Sequence, residues 1–302
     1  MRIVKHSPQK EVYMKIRITT DSTADIPAAL AKELEIRVLP LTIESSDGQE
    51  WLDGIDVVTD SFGEYLEQAT QLPSTAAVPP LDYVDLYEET FAAGYSDLIH
   101  TSLNGSGSST YQNAVLARDM FYQDHPEAEE SFHIHLLDSC TYSMGYGLGV
   151  IQAARMAREE NADTGEIIRF LEDWIAHNVV LFSPMELSFV RKSGRISGAA
   201  ALIGDALGLK PVITFENGKA KTLEKARGEK MAMRSLLRLM KATRKAGTPI
   251  SIVGGADHTL NEAWETLVRR EITDASEIIS AQLGCVITIN SGPKAFGIIY
   301  RI

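Results

Sequence analysis

The stretch IRITTDSTADIP, Ile16 to Pro27, sets the fold. Ile16–Thr20 reads as a strand of apolar and β-branched residues, and it runs into Asp21-Ser22-Thr23 just ahead of a helix. Asp21, Ser22 and Thr23 are all ordinary helix caps. The carboxyl end of a strand is also where parallel α/β sheets bind ligands, so the loop is a candidate cleft lining. The same unit recurs downstream. Strands are predicted at Arg37–Ile43, Asp97–Thr101 and Ile134–Leu137, and helices at Ser61–Ala69, Leu81–Ala93, Ser108–Tyr122, Ser143–Glu160 and Thr164–Ala176. Strands alternating with helices predict a parallel sheet covered by helices on both faces.

Beyond residue 178 the pattern changes. Val179–Phe182 is a short apolar run, and ITFENGKAKTL is two alternating segments around Asn217-Gly218, a strong hairpin signal. A long helix follows from about Gly228 to Ala246. Then come strand Ile250–Val253, helix Leu260–Arg270, and strands Glu277–Ser280 and Gly297–Tyr300. A hairpin requires antiparallel pairing, so this half reads as α+β with a mixed sheet. The chain therefore divides into an extension at 1–15, an N-terminal α/β/α domain at 16–178 and a C-terminal α+β domain at 179–302.

Composition narrows the function. The 302 residues are 44% hydrophobic and 23% charged, values typical of a folded globular protein. A net charge of −12 repels phosphate backbones and anionic lipid, which argues against a nucleic-acid partner and against membrane adsorption. No apolar h-region opens the chain, and no run of about 18 apolar residues offers a membrane span, so no stable membrane insertion is expected. Cys140 and Cys285 lack CxxC partners and read as reduced thiols, consistent with a cytoplasmic protein.

Several junctions could carry chemistry. TSLNGSGSSTYQNA, Thr101 to Ala114, follows a strand and opens a helix. Its small residues and hydroxyls let backbone N–H groups point at an anion, with Ser108 and Thr110 nearby. It carries no Gly-Lys-Ser/Thr of a P-loop, no GxGxxG and no GxSxG nucleophile elbow. LLDSCTYSMGYG, Leu136 to Gly147, places Asp138 and Ser139 at a further strand end, with Ser143 a candidate cleft-lining residue beside them; capping and close helix packing through Gly145 and Gly147 explain the segment as well. Leu72-Pro73-Ser74-Thr75 reads as a polar loop between helices. Arg191–Ile196 and Lys225–Gly228 each set an Arg beside a Gly at an element boundary, an arrangement suited to carboxylate or phosphate and equally to solvent. His133 and His135 share a strand face without a third ligand of suitable spacing, so neither metal nor other cofactor is expected.

Taken together, these segments resemble the DegV family across about residues 16 to 302. The resemblance is carried by TDSTADIP (Thr20–Pro27), DSCTYSMGYG (Asp138–Gly147), SGRISGAAALIGDALGLKPVI (Ser193–Ile213), KARG (Lys225–Gly228) and SGPKAFGI (Ser291–Ile298). It implies two α/β domains with a fatty acid between them: the acyl chain in a tunnel, the carboxylate toward the cleft. It further implies a binding subunit without catalysis of its own, which presents a long-chain fatty acid to a separate ATP-binding fatty acid kinase subunit and carries away the acyl phosphate.

Residue by residue, the resemblance implies that Thr75 bonds the carboxylate, with Ala76 in place of the family Ser. The carboxylate contact falls at Asn104, Gly105 and Ser106, where Gly105 replaces an expected Ser. Arg195 inherits a role near the head group, and Lys225 and Arg227 a role toward phosphate or the kinase. Asn290 stands where many kinase-coupled members have His, and Lys294 replaces a Gly. Asn can donate a hydrogen bond but cannot carry positive charge. The expectation is retained fatty-acid binding with altered kinase coupling. Each buried CH₂ contributes about 0.8 kcal/mol, so a sixteen-carbon chain offers roughly 10 kcal/mol before association costs. The alternative is a small-molecule hydrolase or phosphotransferase-like enzyme that uses the Asn104–Thr110 loop as its anion site.

Overall fold

The computed structural model describes residues 15–158, 162–194 and 208–302. The extension before residue 15 and Arg195 lie outside the described residues. In chain order the first half contains β1 (Ile16–Asp21), α1 (Ala28–Glu33), β2 (Arg37–Leu39), β3 (Thr42–Glu44), β4 (Glu50–Leu52), α2 (Thr59–Gln68), β5 (Ser74–Ala76) and α3 (Pro80–Ala92). It continues with β6 (Asp97–Ser102), α4 (Thr110–Asp124), β7 (His133–Asp138), α5 (Met144–Arg158) and α6 (Thr164–His177). Strands β2-β1-β6-β7 form a parallel sheet in that order.

Two expectations need correction here. The segment Arg37–Ile43 is not one strand. Pro40, which has no N–H to give a ladder, separates β2 from β3. The freed β3 pairs antiparallel with β4 and β5 in a small second sheet. Thr75 is consequently not in a loop but in β5, opposite Ile43.

The second half contains β8 (Asn178–Pro184), α7 (Leu187–Ser193), β9 (Leu209–Glu216), β10 (Lys219–Arg227), α8 (Glu229–Thr243), β11 (Ile250–Gly254), α9 (His258–Glu271), β12 (Ile278–Gln282), α10 (Cys285–Ser291) and β13 (Ala295–Arg301). They build a six-stranded mixed sheet of order β10-β9-β8-β13-β11-β12. The β9–β10 hairpin turns at Asn217 and Gly218, both at positive φ (49° and 74°), as a tight primed turn requires. The short helices α7 and α10 had no counterpart in the sequence reading.

Strand alternation explains how the layers stack. On the second sheet Val180, Val253 and Ile299 face one way, into a core shared with Ile18 and Ile99 of the first sheet. Their neighbours Leu181, Ile252 and Ile298 face the other way, onto α8 and α9. Helix α6 packs against α5 in the same core, and α5 itself fills the shared layer between the two sheets. That position demands a narrow helix. A Cβ on Gly145 would lie 2.6 Å from Val180 of the second sheet, and one on Gly147 would run into the Ala24 carbonyl beside the first. None of the described helices is long and apolar enough to cross a membrane.

Candidate functional site

A cavity of about 500 Å³ opens between the two halves, within the roughly 300–1,000 Å³ common for small-molecule sites. Its wall from the first half is polar at one side: Thr75 on β5, Ser106, Ser108 and Ser109 ahead of α4, and Gln112 on α4. Its wall from the second half is mostly apolar and includes Phe182, Phe215, Val286 and Ile287. Phe182 and Phe215 stack with centroids 5.5 Å apart, and Tyr142 leans on Phe215 at 4.8 Å. No charged side chain lines it among the described residues.

The loop after β6 is built differently from the expectation. Its amides do not fan out toward an anion. Leu103 N donates to Asp21 Oδ2 (2.8 Å), Asn104 N to the Thr141 carbonyl (3.0 Å), Gly105 N to Asp138 Oδ1 (3.0 Å), Ser106 N to Asn104 Oδ1 (3.1 Å) and Gly107 N to the Asn104 carbonyl (3.0 Å). Ahead of the long helix α4, the N–H groups of Ser108 and Ser109 have no partner among the described residues. A helix N-terminus with free amides favours an anion. Thr75 Oγ1 also has no partner among the described residues, and it lines the same cavity.

Asn104 serves a separate purpose. It is buried, and its Nδ2 donates to Tyr142 Oη (2.9 Å) and to the Gly218 carbonyl (2.7 Å). The side chain therefore pins the β9–β10 turn to the first half, and it is not among the cavity-lining residues. Gly105 and Ser106 do line the cavity. A Cβ at Gly105 would meet Asp138 Oδ2 at 2.5 Å, so a Ser there would require the Asp138 side chain to move. Thr110 is buried behind Ser108, with the two hydroxyls 2.8 Å apart.

Asp21 and Ser22 are also behind the wall. Asp21 is fully buried and accepts from Thr23 N, Leu103 N, Ser102 Oγ and Tyr146 Oη. Burial pushes its carboxyl up, against the lowering pull of those hydrogen bonds. Ser22 Oγ donates to Asp53 Oδ2 (2.8 Å). Ser143 lines the cavity and donates to Asp25. Asp25 and Asp53 were missed in the sequence; a lone Asp in a polar turn gives no sign that it will be buried. Asn290 lines the cavity from α10, with Nδ2 donating to the Val286 carbonyl of its own helix (2.7 Å).

Lys225 and Arg227 are exposed on the edge strand β10 and do not line the cavity. They follow the Gly218 turn by seven and nine residues, on the order of 20–30 Å along a strand. The turn, not these cations, is the part of the hairpin that meets the hydroxyl-rich loop.

Comparison with known proteins gives a consistent result. A family model described as "Uncharacterised protein, DegV family" matches residues 15–302. A DegV domain-containing protein from Caldanaerobacter subterraneus subsp. tengcongensis is 33% identical over 295 residues, covering 95% of this chain and 99% of the relative. The structure of a DegV family protein from Thermus thermophilus, described as binding fatty acid, superposes with a TM-score of 0.84 at 28% identity, covering 96% of this chain and 100% of that one. The same fold appears in the Streptococcus pneumoniae fatty acid kinase B3 protein loaded with linoleic acid, with a TM-score of 0.80 at 20% identity over 96% of this chain and 100% of that one.

Proposed function

The chain belongs to the DegV family, and from that premise we propose that it binds a long-chain fatty acid in the cavity between its two halves. The observation that carries this reading is the cavity's chemistry: about 500 Å³, uncharged among the described residues, apolar on the second-half wall and hydroxyl-rich at the α4 end. The acyl chain lies against Phe182, Phe215, Val286 and Ile287. The carboxyl end sits toward Thr75 and the free amides of Ser108 and Ser109, where hydrogen bonds and the α4 dipole hold negative charge with no cation lining the cavity among the described residues. The fatty acid binding described for the Thermus thermophilus protein supports the same ligand class.

The second part of the proposal concerns phosphorylation. The likeness to the fatty acid kinase B3 protein supports a carrier role with no catalytic step on this chain. A separate kinase subunit supplies ATP in the cytoplasm. A carboxylate oxygen of the ligand attacks the γ-phosphorus, the bond to ADP breaks, and the acyl phosphate stays in the cavity. Asn290 offers a neutral amide at this step, where the family resemblance implies a histidine. The alternative of an enzyme built on the Asn104–Thr110 loop has less support, since the amides of residues 103–107 are already paired within the protein.

The test is reconstitution. Protein loaded with palmitate is mixed with ATP and an ATP-binding fatty acid kinase subunit, and acyl phosphate is trapped with hydroxylamine. Hydroxamate formation dependent on both proteins is expected, faster with Asn290→His than with wild type. Binding without hydroxamate, in both proteins, would limit the function to fatty-acid binding.

A further inference from the structure

Helix α10 forms part of the cavity wall through Val286, Ile287 and Asn290, yet it belongs to the second half of the chain. Its start is held by side chains of the first half. Asp25 Oδ1 accepts from Gly284 N (2.9 Å) and Asp53 Oδ1 from Cys285 N (3.0 Å). Thr59 Oγ1 donates to the Leu283 carbonyl (2.6 Å). Both carboxylates are buried, at 7% and 3% exposure. The remaining oxygen of Asp25 accepts from Ser143, a cavity residue, and that of Asp53 accepts from Ser22 (2.8 Å). Asp25 and Ser143 both sit at positive φ (52° and 57°), a backbone state that side chains other than Gly adopt only when their surroundings hold them there.

We propose that Asp25 and Asp53 are positioning residues that latch α10 over the cavity, and that ligand loads and leaves when this latch opens. The inference rests on the cavity being the fatty-acid site, but the latch itself can be measured without ligand.

The latch has a built-in pH dependence. The titratable groups that act on Asp25 are Asp53 and Asp21, both acidic. The nearby Cys285 thiol and Tyr146 hydroxyl are themselves pushed up, Cys285 to about 12, so neither supplies positive charge. Burial raises Asp53 and raises Asp25 well above the ordinary carboxylate range. In an opened latch both carboxyls are hydrated and titrate in their ordinary range. A group whose pKa is higher in the closed state favours that state fully at low pH. That preference is lost as pH rises from the ordinary range through the raised values. Opening is therefore easier at higher pH.

The experiment is amide hydrogen exchange across residues 284–290 of the ligand-free full chain, expressed as protection factors at several pH values. It is paired with stopped-flow release of the fluorescent parinaric acid. Protection should fall and release should quicken as pH rises. Asp25→Asn and Asp53→Asn keep an acceptor oxygen for the α10 amides but cannot titrate. Each should keep protection while flattening its pH dependence, and the double variant should flatten it fully. Asp25→Ala, which removes the acceptor, should release ligand about tenfold faster, the scale of one lost hydrogen bond. A pH-independent protection factor in the wild type, or an unchanged slope in the double Asn variant, would overturn the latch. Parinaric acid that fails to bind, alongside the expected exchange behaviour, would overturn the fatty-acid reading and leave the latch standing.

Discussion

The cavity and the carboxylate cluster behind it meet at Ser143 and Leu103, and differ in almost every physical respect. The cavity is lined by hydroxyls, amides and apolar side chains, with no charge among the described residues. A layer deeper, Asp21, Asp25 and Asp53 are buried carboxyl groups satisfied by backbone amides and hydroxyls. Buried acidic groups hold loops and helices in place, and the described cavity lining carries no carboxylate and no cationic side chain. Neutral walls suit a long apolar chain, because a buried unpaired charge would oppose its burial. The supporting carboxyls are tolerated because hydrogen bonds meet both oxygens of each.

Breaking the supporting layer should have the largest effect. Asp21→Ala strips the acceptor from Leu103 N, Thr23 N, Ser102 and Tyr146. At about 1–3 kcal/mol for each buried donor left unpaired, with partial relaxation, a loss on the order of 3–5 kcal/mol is expected in urea unfolding. A loss below about 1 kcal/mol would mean that the cluster is not a support.

The supporting layer also sets the pH response. His100 is fully buried between Thr19 Oγ1 (2.9 Å) and Tyr83 Oη (3.1 Å), and burial holds its pKa down to about 3. In the unfolded chain the imidazole takes a proton near ~6.5. Stability is therefore lost as pH falls from ~6.5 towards 3, on the order of 4–5 kcal/mol if the full shift is realised. Asp25 and Asp53 act in the opposite sense, so the curve is the difference of two slopes. His100→Gln should remove the acid-side loss in unfolding midpoints measured across pH.

The ligand side should respond in affinity and hardly in stability. Ile287→Trp places bulk in the cavity from α10. Displacing three or four methylenes at about 0.8 kcal/mol each predicts a roughly 100-fold weaker titration with palmitate, and a smaller loss with a shorter acid. Thr75→Val removes one hydroxyl at the head-group end, for a loss of roughly 3–10-fold. Lys225→Ala and Arg227→Ala, exposed and remote from the cavity, should leave fatty-acid affinity unchanged within about twofold. A large loss there would place the head group elsewhere.

The contrast between the regions explains what the sequence could disclose. The parallel sheet was legible because its units repeat: a short apolar strand, a polar junction, a long helix. The hairpin was legible from Asn217-Gly218 alone. The cavity rim was half legible. Thr75, Ser106 and Ser108 stand there, but hydroxyls at element boundaries serve equally as caps, and only the family resemblance pointed to Thr75. Asn104 was read as a ligand contact, yet it clamps the hairpin turn, and no sequence pattern pairs it with a carbonyl 114 residues away. The small second sheet stayed hidden behind Pro40, which splits what reads as one strand. Asp25 and Asp53 stayed hidden for a different reason. Their role exists only once α10, more than 200 residues on, has packed against them. Long-range support of this kind has no local signature.

The central claim is that the neutral cavity holds a long-chain fatty acid. It is tested most directly by extracting freshly purified protein with organic solvent and weighing what is released by mass spectrometry. A long-chain acid near one per protein, reduced in Ile287→Trp, is the predicted result. Folded protein that releases no acid, and takes up none when palmitate is added, would contradict it.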